Sequence, residues 1–378
     1  MKWRMFICAI CFLIGGCSLN IPLEDQFSDP DAITDVLSAR SLLASAYKAM
    51  PQQIFQLSVL SDDFCPSQHL NKDMSLQGLY NWREVEMTEL AGTLWAGYYA
   101  VIAEVNALLA RIDAVVTLDE TEKLEKMRIV CEAKALKSWC YFDLLRLFAP
   151  RYEGNENKDG IILKKRVELD FLPRSSVKEC VTEIRTLLNE ARNVDNTQKN
   201  VYWLSDKAVA YLQVELELYA GNYPAVLELT KDLETEYPES VLGADVYKYL
   251  WSSENSDARI FGKYQLEQIY MDIRFDTFEK GDYLVLSQNV DYEEEDIRKE
   301  WSEIPFVMPD AKNVRLLGKY NKMNRDKVAS KYVNVARAAG MWLMRVEALA
   351  RSGRCRSFGK SYVEAERCYG MEHKYCWK

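Results

Sequence analysis

Histidine is nearly missing from this chain: only His69 and His373 occur in 378 residues. A histidine-based proton relay or a multi-histidine metal site is therefore not expected. Signatures built on other residues are missing too. There is no GxSxG elbow, no HExxH helix, no phosphate loop and no GxGxxG turn. Long basic runs are also missing and the formal charge is −9, which argues against nucleic acid as a partner. No long apolar run follows the N-terminal one, whose length of about ten residues is half of what a spanning helix needs.

Cysteine is present but not as a framework. Of ten, Cys8 and Cys11 form the sole CxxC and fall in the N-terminal apolar run. Apart from Cys17, seven remain: Cys65, Cys131, Cys140, Cys180, Cys355, Cys368 and Cys376. An odd number cannot all pair within one chain, and the spacing fits no zinc site. No essential disulfide or structural metal is expected, and Cys131 and Cys140 read as small buried hydrophobes. Carboxylates are plentiful at 57, and a sugar-cleaving enzyme needs only two. Asp62 and Asp63 are adjacent in an irregular segment. The cluster Glu293, Glu294, Glu295 and Asp296 suits either calcium ligation or a solvated helix start. An acid-rich helical surface produces such pairs without any chemistry, so the reading is of a binding protein with no catalytic residue and no cofactor.

What is present begins with Lys2 and Arg4, an apolar run over 5–14, and then Leu13-Ile14-Gly15-Gly16-Cys17. Charge, short apolar core, small residues and cysteine stand in the order of a lipoprotein signal, with 1–16 removed and Cys17 acylated. Residues 17–30, bracketed by Pro22 and Pro30, read as an extended tether. Losing Lys2 and Arg4 takes the charge from −9 to −11. The mature chain is expected to hang outside the bilayer, held by that lipid.

Most of the remainder has helical spacing. Helices are expected over 31–50, 89–116, 122–148, 176–192, 206–220, 224–236 and 331–352. The third carries the stripe Leu124, Met127, Cys131, Ala135, Trp139, Phe142 and Leu145. Ser176 and Glu179 make a capping box, and Ser205 caps the helix from 206. The hairpin 206–238 spans 33 residues, close to the tetratricopeptide period of about 34. The expected fold is mostly α: a tetratricopeptide-like helical-repeat scaffold over 31–353. Two segments lack a sustained period, 60–86 and 241–324, and read as ligand-binding insertions. Aromatic residues make up 12%, and those outside the helical stripes are the best lead. Tyr80 and Trp82 lie in the first insertion; Trp251, Tyr270, Tyr283, Tyr292 and Trp301 lie in the second. Aromatic faces stack on sugar rings while nearby acids and amides bond hydroxyls. The candidate ligand residues are Tyr80, Trp82, Asp62, Asp63, Trp251, Tyr292 and Trp301; filling a satellite core is the competing role for each aromatic.

The order of pieces resembles the SusD/RagB family of nutrient-binding lipoproteins. The pieces are Leu94-Trp95, Tyr98-Tyr99, Ile102 and Asn106, then the alanine-rich stretch ending Phe142-Asp143-Leu144-Leu145-Arg146-Leu147-Phe148. Arg174-Ser175-Ser176-Val177, Asp296-Ile297-Arg298, Gly318-Lys319-Tyr320-Asn321 and Arg345-Val346-Glu347-Ala348-Leu349-Ala350 follow. The resemblance implies a SusD-like fold, an oligosaccharide or other nutrient ligand, and a SusC-like TonB-dependent transporter as partner. It carries over no ligand residue. Two departures stand out: the chain is short for the family, and 354–378 holds three cysteines and many basic residues, as a truncation or frameshift would leave. A protein-binding adaptor and a peptide receptor on the same scaffold are the alternatives.

Overall fold

The computed structural model describes residues 33–51, 54–61, 64–66, 74–167, 171–192, 200–251, 255–264, 284–286, 292–307, 313–319 and 332–353. The expected signal and tether, Cys17, Asp62, Asp63, Tyr270, Tyr283 and the tail 354–378 lie outside the described residues.

Capping sets where the helices start. Asp35 accepts from the Ser38 backbone N–H at 2.7 Å and opens α1, Val36–Ala49, five residues later than expected. Short helices α2, Ile54–Leu60, and α3, Met74–Tyr80, flank strand β1, Phe64–Pro66. Helix α4, Glu84–Arg111, continues as a 3₁₀ turn to Ala114. That 31-residue span has a mean hydropathy of 1.2 in its most apolar window, enough by composition for a membrane span. Its apolar side instead packs on α1 and on α5, Glu120–Phe148. Asp119 caps α5, accepting from the Glu122 N–H at 2.8 Å.

The stripe expected on α5 holds from Cys131 onward, where Cys131, Ala135, Trp139, Phe142 and Leu145 are all buried. Leu124 and Met127 are exposed, which corrects the expectation for the first turns: burial on this helix starts at Ile129. Helix α6, Val177–Ala191, has the Ser176–Glu179 capping box, and α7, Asp206–Tyr219, has the Ser205 cap. Gly221, at φ +69°, turns the chain where a left-handed residue is needed. The next helix was expected unbroken; it divides into α8, Tyr223–Leu229, and α9, Leu233–Glu236. The Thr230 hydroxyl and carbonyl at the break accept from Arg345, at 3.0 and 3.1 Å. Single-turn α10, Ala244–Tyr247, runs into a 3₁₀ turn ending at Trp251.

Strands replace the remaining irregular readings. They are β2, Arg259–Tyr264; β3, Leu284–Leu286; β4, Glu303–Val307; β5, Asn313–Leu317; and β6, Tyr332–Arg337. Helix α11, Ile297–Ser302, precedes β4, and α12, Ala338–Arg351, follows β6. The helix expected over 331–352 therefore loses its first turns to β6, which pairs antiparallel with β2. Val333 and Ala336 are buried beneath this ribbon, which closes against the helices. A second sheet has the order β1-β3-β5-β4, all adjacent pairs antiparallel. Its outer strand β1 comes from the first irregular segment and the other three from the second. Two stretches far apart in sequence thus make one sheet.

Candidate ligand-binding site

Trp82 stands at the corner between α3 and α4. Its N–H donates to the Leu79 carbonyl and the Arg83 N–H to the Gly78 carbonyl, both at 2.9 Å. This pattern closes a helix with one left-handed residue, normally glycine. Here that residue is Trp82, at φ +54°, the only non-glycine with positive φ among the described residues. A left-handed L-residue costs about 1–2 kcal/mol, and the indole is 64% exposed, so packing returns little of it. Tyr80, two residues back, is half-buried against the main core. Both α2 and α3 pack on β1.

Two of the other expected aromatics, Trp251 and Tyr292, lie near Tyr247, and Trp301 stands on α11, next to β4. Trp251 meets Tyr247 edge to face at 5.7 Å, and the Tyr247 hydroxyl pairs with the Ser302 hydroxyl at 3.2 Å, next to Trp301. Burial raises the Tyr247 pKa, and Tyr292 is close enough to add to that rise. Lys319 and Arg337 lie over the Trp251 ring at 5.0 and 5.6 Å, and Arg298 over Tyr292 at 5.4 Å. Trp251 is only 5% exposed. It therefore forms the floor of this cluster and offers no open face. Trp301 is half-buried, as is Tyr292. Asp296 caps α11, accepting from the Arg298 backbone at 2.8 Å, and pairs with its guanidinium at 2.9 Å. That carboxylate is structural. Gly318 is required here: a Cβ would stand 2.7 Å from the Glu303 nitrogen and 2.9 Å from the Trp301 carbonyl oxygen. Its N–H donates to the Ser302 carbonyl at 2.8 Å, fixing the α11–β4 corner.

Trp82 and Trp301 thus sit beside opposite edges of the four-stranded sheet, whose outer strands stand about 14 Å apart at three strand spacings. Tyr80 shares the first edge; Trp251 and Tyr292 share the second. Among the described residues, no group of three or more metal-ligating side chains occurs.

Sequence reasoning missed one depression. A cavity of about 550 Å³ opens between α4 and the loop ahead of α6, lined by Trp95, Tyr99, Ile162, Lys164, Phe171, Leu172 and Pro173. Phe171 is fully exposed. The Tyr99 hydroxyl donates to the Ile162 carbonyl at 2.8 Å and accepts from its N–H at 2.9 Å, and burial raises its pKa to about 12. Arg174 lies 4.9 Å over Trp95 and bonds the carbonyls of Phe148 and Gly160. The spacing of Trp95 and Tyr99 signalled a helix face; nothing in it signalled a cavity beside the face.

A family model described as starch-binding associating with outer membrane, SusD-like, matches residues 23–214, half of the chain. The chain belongs to the SusD-like family. Solved structures agree in fold. A SusD-like carbohydrate binding protein from Bacteroides vulgatus superposes with a TM-score of 0.70 at 15% identity, covering 91% of this chain and 77% of that one. A SusD superfamily protein from Bacteroides thetaiotaomicron gives 0.70 at 16%, covering 89% and 79%. A SusD homolog from the same organism gives 0.67 at 18%, covering 92% and 84%. Among curated proteins no sequence match was found. The matched half runs from ahead of α1 into α7; Trp251, Tyr292 and Trp301 lie beyond it.

Proposed function

We propose that this SusD-like chain is a surface lipoprotein that binds oligosaccharide across the four-stranded sheet and hands it to a SusC-like TonB-dependent transporter. Residues 60–86 and 241–324 supply the site, on a tetratricopeptide-like helical scaffold. Acylation at Cys17 holds the protein at the outer membrane. The family description and the carbohydrate-binding relative support the ligand class.

The observation that carries the reading is Trp82. Stability favours glycine at its position, yet the chain holds a large aromatic there, strained and exposed. An open indole face is what stacking on a sugar ring requires. The test separates stability from binding. Trp82→Gly is expected to hold or raise the melting temperature, because the left-handed strain of about 1–2 kcal/mol is relieved. The same change is expected to weaken retardation in native gels containing soluble starch, or the strongest hit of a glycan array, by about 1–3 kcal/mol, the scale of base stacking on aromatics. Unaltered binding by Trp82→Gly removes Trp82 from the site.

A second reading, capture of a peptide or protein segment, draws on the Trp95 cavity. Its lining is mostly apolar and includes a fully exposed Phe171, a combination that suits an apolar side chain better than a polyhydroxylated ring.

A further inference from the structure

Lys263 is buried on β2 and reaches out of its own ribbon. Its Nζ donates to the carbonyls of Met50 and Pro51, the latter at 2.7 Å. These carbonyls end α1, where helical acceptors lack partners. The two attachment points have a topological meaning. After Pro51 the chain leaves the scaffold for α2 and β1; after β2 it leaves for β3. Strands β1 and β3 then pair with each other. One side chain therefore joins the roots of both excursions whose strands build the candidate site.

The surroundings decide which form of the amine fits. From α5, Cys140 and Asp143 face it. Burial pushes the Cys140 thiol up, so it stays neutral. Asp143 is engaged by the Tyr98 hydroxyl of α4 at 3.0 Å and by Arg146 at 2.5 Å, and Glu215 of α7 is taken by Arg146 as well. Across the ribbon stands Val333 of β6, which is apolar. A neutral amine has two protons for the two carbonyls; an ammonium has a third proton and a charge that no unengaged carboxylate in this set offsets. Burial accordingly lowers the Lys263 pKa to about 7, against a partial counter-effect from Cys140 and Asp143.

We propose that Lys263 is a positioning residue that pins the roots of both excursions to the helical scaffold, and that protonating its buried amine loosens the sheet carrying the candidate site. Release of the root returns the amine to water, where its proton affinity is high. Opening thus takes up a proton, so acid favours the open form and the pin tightens as pH rises through neutrality. The glycan reading gives this pin its functional meaning, but the pin is tested without ligand.

The test is hydrogen exchange on the full chain at pH 6 and pH 8.5, corrected for intrinsic exchange rates. Peptides covering 64–66 and 284–286 are compared with peptides from 129–145 of α5. In the native sequence, sheet protection is expected to rise about tenfold with pH while α5 changes less. Lys263→Met, with no titrating amine, is expected to give low sheet protection at both pH values. Lys263→Arg, charged throughout, is expected to do the same. The proposal is overturned by a flat native profile, by native-like pH dependence in either variant, or by α5 moving in step with the sheet. Should Lys263→Met not fold, the native chain and Lys263→Arg decide the matter. Because only amides are read, failure here leaves the glycan reading standing, and loss of the glycan reading leaves this result intact.

Discussion

The helices from α4 to α7 and the four-stranded sheet solve opposite problems. The helices bury charge and close it. Glu132 is fully buried and meets Arg40 at 2.9 Å; Arg146 bridges Asp143 and Glu215; Arg185 holds Glu217. The loop ahead of α6 is tied down the same way, through Gly160 and Ser175 to each other and through Ile162 to Tyr99. The sheet does the reverse. Its strands have three to five residues, and among the side chains described in it Leu316 is fully buried, with Ile304, Phe306 and Val314 half-buried around it. Its flanking corner leaves Trp82 in water. Paired buried polar groups make a scaffold with one arrangement, because breaking any pair strands a charge. A sheet of such short strands owes its placement to its roots and corners.

If that contrast holds, damage to the two regions should read out differently. The largest effect is expected from Phe142→Ala, in the C-terminal half of α5, where the ring packs edge to face on Tyr219 at 5.6 Å. Emptying a fully enclosed phenylalanine site costs about 3–5 kcal/mol. Chemical denaturation should show the whole chain losing that stability in one transition. Helices that melt while the sheet persists would reverse the assignment of roles.

Gly318→Ala is expected to be milder and local. The added methyl meets backbone at 2.7 to 2.9 Å on three atoms of the α11–β4 corner, and none of those can swing aside as a side chain could. Overpacking of this kind costs about 1–3 kcal/mol. Exchange protection should fall across 303–307 and 313–317 and stay unchanged over 129–145. Equal loss in both places would show that the sheet and scaffold unfold as one unit.

The same contrast explains what could be read from residue order. Helical spacing located α1, α4, α5, α6 and α7, since each buries one face at a regular period. It overran at Leu124 and Met127, because periodicity says which side faces inward and not how far the neighbours reach. It failed at 332–337, where Val333 and Ala336 fit a strand against β2 that lies about seventy residues upstream. The motif pieces behind the family resemblance now have physical roles: Asn106 and Tyr99 hold the loop over α4, Arg174 spans Phe148 and Gly160, Asp296 caps α11, and Gly318 admits a backbone. Of the candidate residues, Trp251 and Tyr292 both lie near Tyr247, and Trp301 stands on the neighbouring α11. The convergence of β1 with β3 was not legible, since three-residue strands carry no pattern of their own. The strain at Trp82 was not legible either: only the φ angle shows it.

The smallest expected effect sharpens the comparison at a second buried amine. Lys137, on α5, donates to the Asn106 side-chain oxygen at 2.6 Å and lies 5.6 Å from the Tyr141 ring. Asn106 and Tyr141 in turn donate to the Lys164 carbonyl at 2.9 and 2.6 Å. Burial lowers the Lys137 pKa to about 8, with Glu183 partly opposing the shift. The unfolded chain restores the ordinary value near 10.5, so between about pH 8 and 10.5 it binds more protons than the folded chain. Stability therefore rises with pH across that window, whereas a surface lysine contributes no slope. Calorimetry from pH 7.5 to 10 should show a less positive slope for Lys137→Met than for the native chain, the remainder combining Lys263 with the opposing buried thiols Cys140 and Cys180. The melting temperature of Lys137→Met should also fall slightly at every pH, because Asn106 loses its donor. Identical slopes in the two proteins would mean that Lys137 reaches water in the folded state and that this part of the scaffold is less closed than its hydrogen bonds indicate.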